Sequence, residues 1–254
     1  MERVLEITLA VTSGVFYIAL LWRAFFTPRL VTEGNWFKRA DVIVAFCISA
    51  IFAWLAIDLF DAPPRKIDEN AIIGGMIAQL ILGGIVVSYV ALRRISLRAF
   101  FGTAALPVRK SIGLGILLTV AISPFVGTLA QLLNRDPSQE QTVVQFFRDT
   151  PSVESRLLLA FMAVIVAPII EEVVFRGLLY RIFKGYFGTM SAMFFTSVLF
   201  AVIHGNLPSL LPLTLLAFAF TAALERSGSL LVSIAMHGTF NALTLSFLLW
   251  GKTP

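Results

Sequence analysis

Eight apolar runs, each about as long as a membrane-spanning helix, constrain this chain more than any other feature. In the 254 residues they lie near 5–24, 41–60, 71–92, 112–134, 157–184, 189–205, 207–224 and 230–250. A helix needs about 20 mostly apolar residues to cross a hydrocarbon core of roughly 30 Å. We therefore predict an all-α protein, a polytopic transmembrane helical bundle of about eight spanning helices.

The composition agrees with the bilayer as the solvent, since 58% of the residues are hydrophobic and only 14% are charged. A soluble domain of this size carries many more charges. We predict one membrane domain over 1–254, with four helices and a polar loop in 1–156 and four more helices in 157–250. The segment 207–224 is the weakest span, because two prolines lie in its first turns, and a partly re-entrant segment is the alternative there.

The basic residues lie in the connections between apolar runs, where membrane topology explains the net charge of +5, and we predict no nucleic-acid partner. Thirteen lysines and arginines fall on one side of the predicted bundle and seven on the other. The positive-inside rule then places both termini outside the cytoplasm. Since no targeting extension is apparent, we expect the plasma membrane of a bacterium.

Ionisable side chains inside the apolar runs mark the second half of the chain as the functional part. Each such group costs at least roughly 2.5 kcal/mol on insertion, so each one needs a partner or a function. The polar side chains concerned are Glu171, Glu172, Arg176, His204, His237 and Asn241, and the two histidines are the only ones in the chain. We predict that they line an intramembrane polar cavity.

Helix geometry brings these residues to similar depths. Glu171 and His204 are each about 16 to 17 residues from a predicted turn near residue 187, which is about 25 Å along two antiparallel helices. His237 and Asn241 are four residues apart, so they share one face of the last helix. A glutamate and a histidine are therefore expected to meet inside the bilayer, with the other two residues nearby.

Glu172 and Arg176 stand four residues apart, a spacing that allows an ion pair along one helix face. Adjacent helical positions differ in direction by about 100°, so Glu171 and Glu172 are not expected to reach the same point. We predict that one serves the cavity and the other pairs with Arg176. Pro168 lacks an amide hydrogen and is expected to free a backbone carbonyl near the cavity.

Three motifs in this half resemble those of the CPBP family of membrane proteins, which includes type II CAAX prenyl proteases, ABI proteins and bacteriocin-immunity-type proteins. Residues 171–176, 200–204 and 237–241 match the patterns EExxxR, FxxxH and HxxxN, in the family's order. The resemblance implies an intramembrane endopeptidase whose catalytic core is 157–250. By this resemblance, Glu171 would act as general base on water and His204 would assist that water.

The same resemblance gives roles to the remaining motif residues. His237 and Asn241 would donate hydrogen bonds to the oxyanion that forms when the peptide carbonyl is attacked, and Glu172 and Arg176 would support the site. The implied partners are the lipid bilayer and a peptide or protein substrate, prenylated or not.

The cofactor stays open at this stage. Glu171, His204 and His237 have the ligand types of a catalytic zinc site with an open fourth position. However, the chain has no HExxH pair, and a zinc-bound Glu171 would require another general base. We favour metal-free water activation, with zinc as the alternative.

Two functions from other classes compete with the protease. A non-catalytic immunity or scaffold protein would use the buried polar groups only to hold helices together. A proton-coupled transporter also builds relays from intramembrane glutamates and histidines, although the two halves of this chain show no symmetry.

Overall fold

The computed structural model describes residues 2–26, 36–61, 68–133, 142–150 and 152–250, and within these ranges the regular structure is entirely helical. The helices are α1 Glu2–Phe26, α2 Arg39–Asp61, α3 Glu69–Leu92, α4 Leu97–Phe100, α5 Val108–Leu133, α6 Thr142–Asp149, α7 Val153–Phe161, α8 Ala167–Glu172, α9 Tyr180–Val202, α10 Leu210–Ser227 and α11 Leu230–Trp250. Two π-helical segments, Met162–Val166 and Val173–Leu179, join α7 to α8 and α8 to α9.

Seven helical stretches in the described part of the chain are long and apolar enough to cross a membrane. The predicted class, an all-α multi-pass integral membrane protein, is therefore confirmed. One stretch, Val153–Val202, comprises 50 residues. A straight helix of that length would extend about 75 Å, more than twice the thickness of a hydrocarbon core.

This long stretch folds back on itself at Gly188, whose φ of 78° and ψ of 168° interrupt the helix. Glycine tolerates a positive φ without steric penalty, so the reversal occurs at this residue. The ring centroids of Phe183 and Phe195 lie 5.1 Å apart, and those of Phe175 and Phe200 lie 5.3 Å apart. The stretch is thus two antiparallel arms, 153–187 and 189–202, and the count of spans agrees with about eight.

The first arm is held along its length by α3. Ser155 Oγ donates a hydrogen bond to Glu69 Oε1 at 2.5 Å, near the beginning of both helices. Further along, Gly83 lies against Ile170, where a Cβ would come within 2.4 Å of the isoleucine side chain. The two helices therefore run parallel, and the small residue lets them approach closely at the level of α8.

The basic connection between α3 and α5 caps the far end of the second half. Phe101 O accepts a hydrogen bond from Leu230 N at 3.1 Å, and Arg181 Nη1 donates to Phe100 O at 2.9 Å. Gly102, with φ of 70°, lies so close to the junction of α10 and α11 that a Cβ would be 2.0 Å from Gly228 O. This end of the bundle is therefore tightly closed.

Replacing Gly102 with alanine is expected to destabilise the protein by more than about 1 to 2 kcal/mol, the penalty of a left-handed conformation alone, because the new Cβ also meets Gly228 O. Gly113→Ala in α5 is the matched control, since a Cβ there has no neighbour within 4 Å. Unfolding in mixed detergent and SDS micelles would measure both. Equal stability of the two variants would contradict the close approach at Gly102.

The helix boundaries follow the sequence prediction within a few residues in most places. The last helix runs from Leu230 to Trp250, as predicted, whereas α10 begins at Leu210 because Pro208 lies in the turn before it. The polar connection contains the short helix α6, but residues 134–141 and 151 lie outside the described residues. Six cations used in the orientation count also lie outside them or have no described side chain: Arg3, Arg29, Arg65, Lys66, Arg135 and Lys252. The placement of both termini outside the cytoplasm therefore remains a prediction.

Candidate active site

The first predicted motif lies on α8 and the π-helical segment that follows it. Arg176 Nη1 donates to Glu172 Oε1 at 2.8 Å, and Nη2 donates to Ala217 O of α10 at 3.2 Å. The Glu172 and Arg176 side chains are 0% and 1% exposed. The predicted ion pair is therefore present and buried, and it ties the first arm to α10.

His237 of α11 lies between the two glutamates. Its Nδ1 is 3.2 Å from Glu172 Oε1, while its Nε2 is 3.9 Å from Glu171 Oε2. An ionised Glu172 carboxylate only accepts hydrogen bonds, so His237 Nδ1 is the donor in this contact. The ring is thus oriented by Glu172 and presents its other nitrogen towards Glu171.

The prediction that one of the two glutamates pairs with Arg176 is confirmed, and the structure adds a contact that the spacing did not predict. Glu172 does pair with Arg176, but both carboxylates also approach His237. The reason is that the two ring nitrogens face in different directions, so two side chains that diverge by about 100° can both approach one imidazole.

His204 follows the end of the second arm, in the turn before α10. Its Nδ1 lies 2.7 Å from Phe200 O, and because a carbonyl only accepts, Nδ1 carries the proton there. The Phe200 ring centroid is 4.8 Å from that of His204 and 5.6 Å from that of His237. Both histidine rings thus contact the same aromatic ring, that of Phe200.

Asn241 is anchored on the first π-helical segment, where its Nδ2 donates to Ala163 O at 2.7 Å. Ala167 N donates a hydrogen bond to Met162 O, five residues earlier in the chain. With the same spacing, the donor to Ala163 O would be the backbone nitrogen of residue 168. Pro168 has no amide hydrogen to give. The predicted free carbonyl therefore exists, and Asn241 uses it.

Several polar atoms of the cluster have unused hydrogen-bonding capacity. Among the described residues, none forms a hydrogen bond with Glu171 Oε2, Glu172 Oε2 or Arg176 Nε, all of which are buried. Buried polar atoms in native proteins usually have partners, so each exception needs an explanation. One of these exceptions, Glu171 Oε2, lies 3.9 Å from His237 Nε2.

The three side chains of the alternative zinc site are not gathered around one point among the described residues. In the described part of the chain, no three histidine, cysteine or acidic side chains are gathered so that they could hold a metal ion. Glu171 and His237 approach each other, but no hydrogen bond or ion pair joins His204 to either. The residues present thus do not fit a zinc centre built from two histidines and a glutamate.

Two aromatic rings complete the site. The guanidinium carbon of Arg176 lies 4.6 Å from the Phe200 centroid and 5.3 Å from that of Phe220. Phe220 also stacks on His237, with centroids 5.1 Å apart and an interplanar angle of 25°. Phe200 belongs to the second motif, but Phe220 is one of 23 phenylalanines and nothing in the sequence distinguishes it.

Comparison with protein families finds one match in this region. Residues 153–243 match the family described as Type II CAAX prenyl endopeptidase Rce1-like. This segment is therefore similar to the Rce1-like family. It covers α7 to α11 almost entirely and includes all six predicted site residues, so the resemblance drawn from the three motifs is confirmed for this part of the chain.

The Rce1-like domain supports a protease-type enzyme that acts on a peptide or protein at the membrane. Comparison with curated proteins gave no match. Comparison with solved structures gave none either.

Proposed function

We propose that this protein is an intramembrane endopeptidase in which Glu171 activates water to hydrolyse a peptide bond of a membrane-associated protein. The observation that supports this most directly is the state of Glu171 Oε2, a buried acceptor without a hydrogen-bond donor among the described residues. It lies 3.9 Å from His237 Nε2, too far for a direct hydrogen bond and a distance that one water molecule can bridge.

In this mechanism Glu171 accepts a proton from water as the water oxygen attacks the scissile carbonyl carbon. The proton then passes from Glu171 to the leaving amine nitrogen as the carbon–nitrogen bond breaks. His204 holds its Nδ1 proton on Phe200 O, so its Nε2 is the nitrogen available to orient the water. General base catalysis of this kind typically contributes about 10² to 10⁴-fold in rate.

The developing oxyanion requires hydrogen-bond donors. Asn241 uses one hydrogen of its Nδ2 on Ala163 O and has a second to offer, since an amide nitrogen carries two. His237, held by Glu172 through Nδ1, would contribute through Nε2 when that nitrogen is protonated. Glu172 and Arg176 act by positioning His237, and the proposed reaction requires no metal.

Asn241→Ala is expected to lower turnover by about 100-fold or more, because a donor directed at the oxyanion in a poorly hydrated site is lost. Thr244→Ala is the matched control, since Thr244 lies on the same helix and its hydroxyl donates only to Phe240 O of its own helix. Cleavage rates of the purified variants at saturating substrate would decide. Similar rates for the two variants would remove Asn241 from the mechanism.

Quantitative membrane proteomics of the source cell tests the proposed function and identifies the substrate. Cells would express the wild type, Glu171→Gln or the control Glu154→Gln, whose carboxylate is exposed. We expect at least one intact membrane or lipidated protein to accumulate, with loss of its fragment, in Glu171→Gln cells alone. If the protein profiles of the three strains were identical and the variants were folded and equally abundant, the scaffold function would be favoured instead. The lipid attached to any accumulating protein would show whether the substrate is prenylated.

A further inference from the structure

The burial of the residues around the proposed site indicates the side from which a substrate can reach it. From Glu172 to Phe183, every residue of the first arm is buried. Neighbouring α10 is buried throughout 219–225, and on α11 Leu230, Val232 and Met236 are 0% exposed. At 1.5 Å per residue, the buried part of the first arm is a packed layer about 18 Å thick.

The basic connection between α3 and α5 covers the far side of this layer. Its backbone accepts hydrogen bonds from Arg181 and Leu230, and Gly102 contacts Gly228. The connection carries exposed cations at Arg94, Arg98, Arg109 and Lys110. The closed end of the bundle is therefore also its basic end.

The residues on the opposite side of the site are more exposed than those of the buried layer. All residues of 203–209, the turn between α9 and α10, are partly or fully exposed, and so are all residues of 239–244 on α11. Within the turn, Leu207 is 71% exposed and Ser209 is partly exposed. α6 packs next to this stretch, where Phe147 contacts Leu159 and Leu245.

We propose that water and the substrate peptide reach the site from the membrane face opposite the basic connection, between the 203–209 turn and the end of α11. This inference rests on the proposed function, because it takes the site to be where a peptide is cleaved. The route of access itself can be tested without measuring turnover. A packed protein interior has few voids larger than a water molecule, so the buried layer closes the basic side to a peptide.

Site-directed thiol labelling tests the direction of access. In a Cys47→Ser background, which removes the only native cysteine, single cysteines would replace Leu207, Ser209, Glu154 and Arg98. A membrane-impermeant maleimide would be added to right-side-out and to inside-out vesicles from the same cells. Glu154, exposed near the beginning of the first arm, is the reference for the open face, and Arg98 is the reference for the basic face.

We expect Leu207→Cys and Ser209→Cys to react in the same type of vesicle as Glu154→Cys and in the opposite type to Arg98→Cys. His204→Cys, deeper in the site, is expected to react from the same side but more slowly. The proposal would be overturned if the turn cysteines reacted in the same type of vesicle as Arg98→Cys. It would also be overturned if neither turn cysteine reacted after permeabilisation, because the turn would then be in contact with lipid. Because labelling requires no catalysis, these outcomes are distinct from failure of the proposed protease.

Discussion

Replacing Arg176 with alanine is expected to destabilise the protein by about 3 to 5 kcal/mol, because it leaves the Glu172 carboxylate as an unpaired charge in the interior. Arg176 is 1% exposed, donates to Glu172 and Ala217, and lies over two aromatic rings. All these contacts are lost together. Reversible unfolding in mixed SDS micelles would measure the change.

Two further variants separate the charge from the packing. Arg109→Ala removes an exposed cation in α5 and is expected to change stability little. The double variant Glu172→Leu with Arg176→Met removes both charges and retains apolar volume, so it should recover most of the stability lost in Arg176→Ala. If Arg176→Ala is as stable as Arg109→Ala, the buried ion pair does not have the structural role assigned to it.

Glu171→Gln is expected to lower the cleavage rate by about 10² to 10⁴-fold with little loss of stability. Glutamine retains the size of the side chain and one carbonyl oxygen, but it no longer accepts a proton from water. Among the described residues, none donates a hydrogen bond to Glu171 Oε2, so the substitution is expected to disturb the packing of the helices little. The cleavage rates of Glu171→Gln and of the control Glu154→Gln would be measured on the substrate identified by proteomics. The unfolding midpoints of both variants would be measured as well. A rate within a few-fold of the control would exclude Glu171 as the general base.

The spans were predictable from the sequence because the bilayer imposes a length and a composition that few other structures satisfy. The last helix shows this clearly, since both of its ends were predicted. The reversal at Gly188 was also indicated, because a glycine-containing break interrupts an apolar stretch too long for one span. Helix α10 was less clear, since the sequence did not show whether Pro208 lies inside the helix or before it.

Contacts within one helix could be predicted, but contacts between helices could be predicted only in part. The Glu172–Arg176 pair follows from four-residue spacing and is present. The placement of His237 between both glutamates depends on the rotation of α11 about its axis, which packing against α5 and α8 determines. Sequence spacing within α11 contains no information on that rotation.

The π-helical segments had no recognisable signal in the sequence, although they shape the site. Pro168 indicated a free carbonyl near the cavity, but which carbonyl it was depends on whether the helix has four-residue or five-residue hydrogen bonds. The wider spacing leaves Ala163 O for Asn241. Pro168 and Asn241 are 73 residues apart in the sequence numbering (241 − 168), so their connection emerges only in three dimensions.

The central claim is that Glu171 activates water to hydrolyse a peptide bond within the membrane, and cleavage in H₂¹⁸O tests it most directly. Purified wild type and Glu171→Gln would be incubated with the substrate in lipid nanodiscs, and the products would be analysed by mass spectrometry. We predict that the wild type yields a fragment whose new C-terminal carboxylate carries one heavy oxygen, and that Glu171→Gln yields almost none in the same time. Cleavage without heavy oxygen, or equal labelled product from both proteins, would contradict the account.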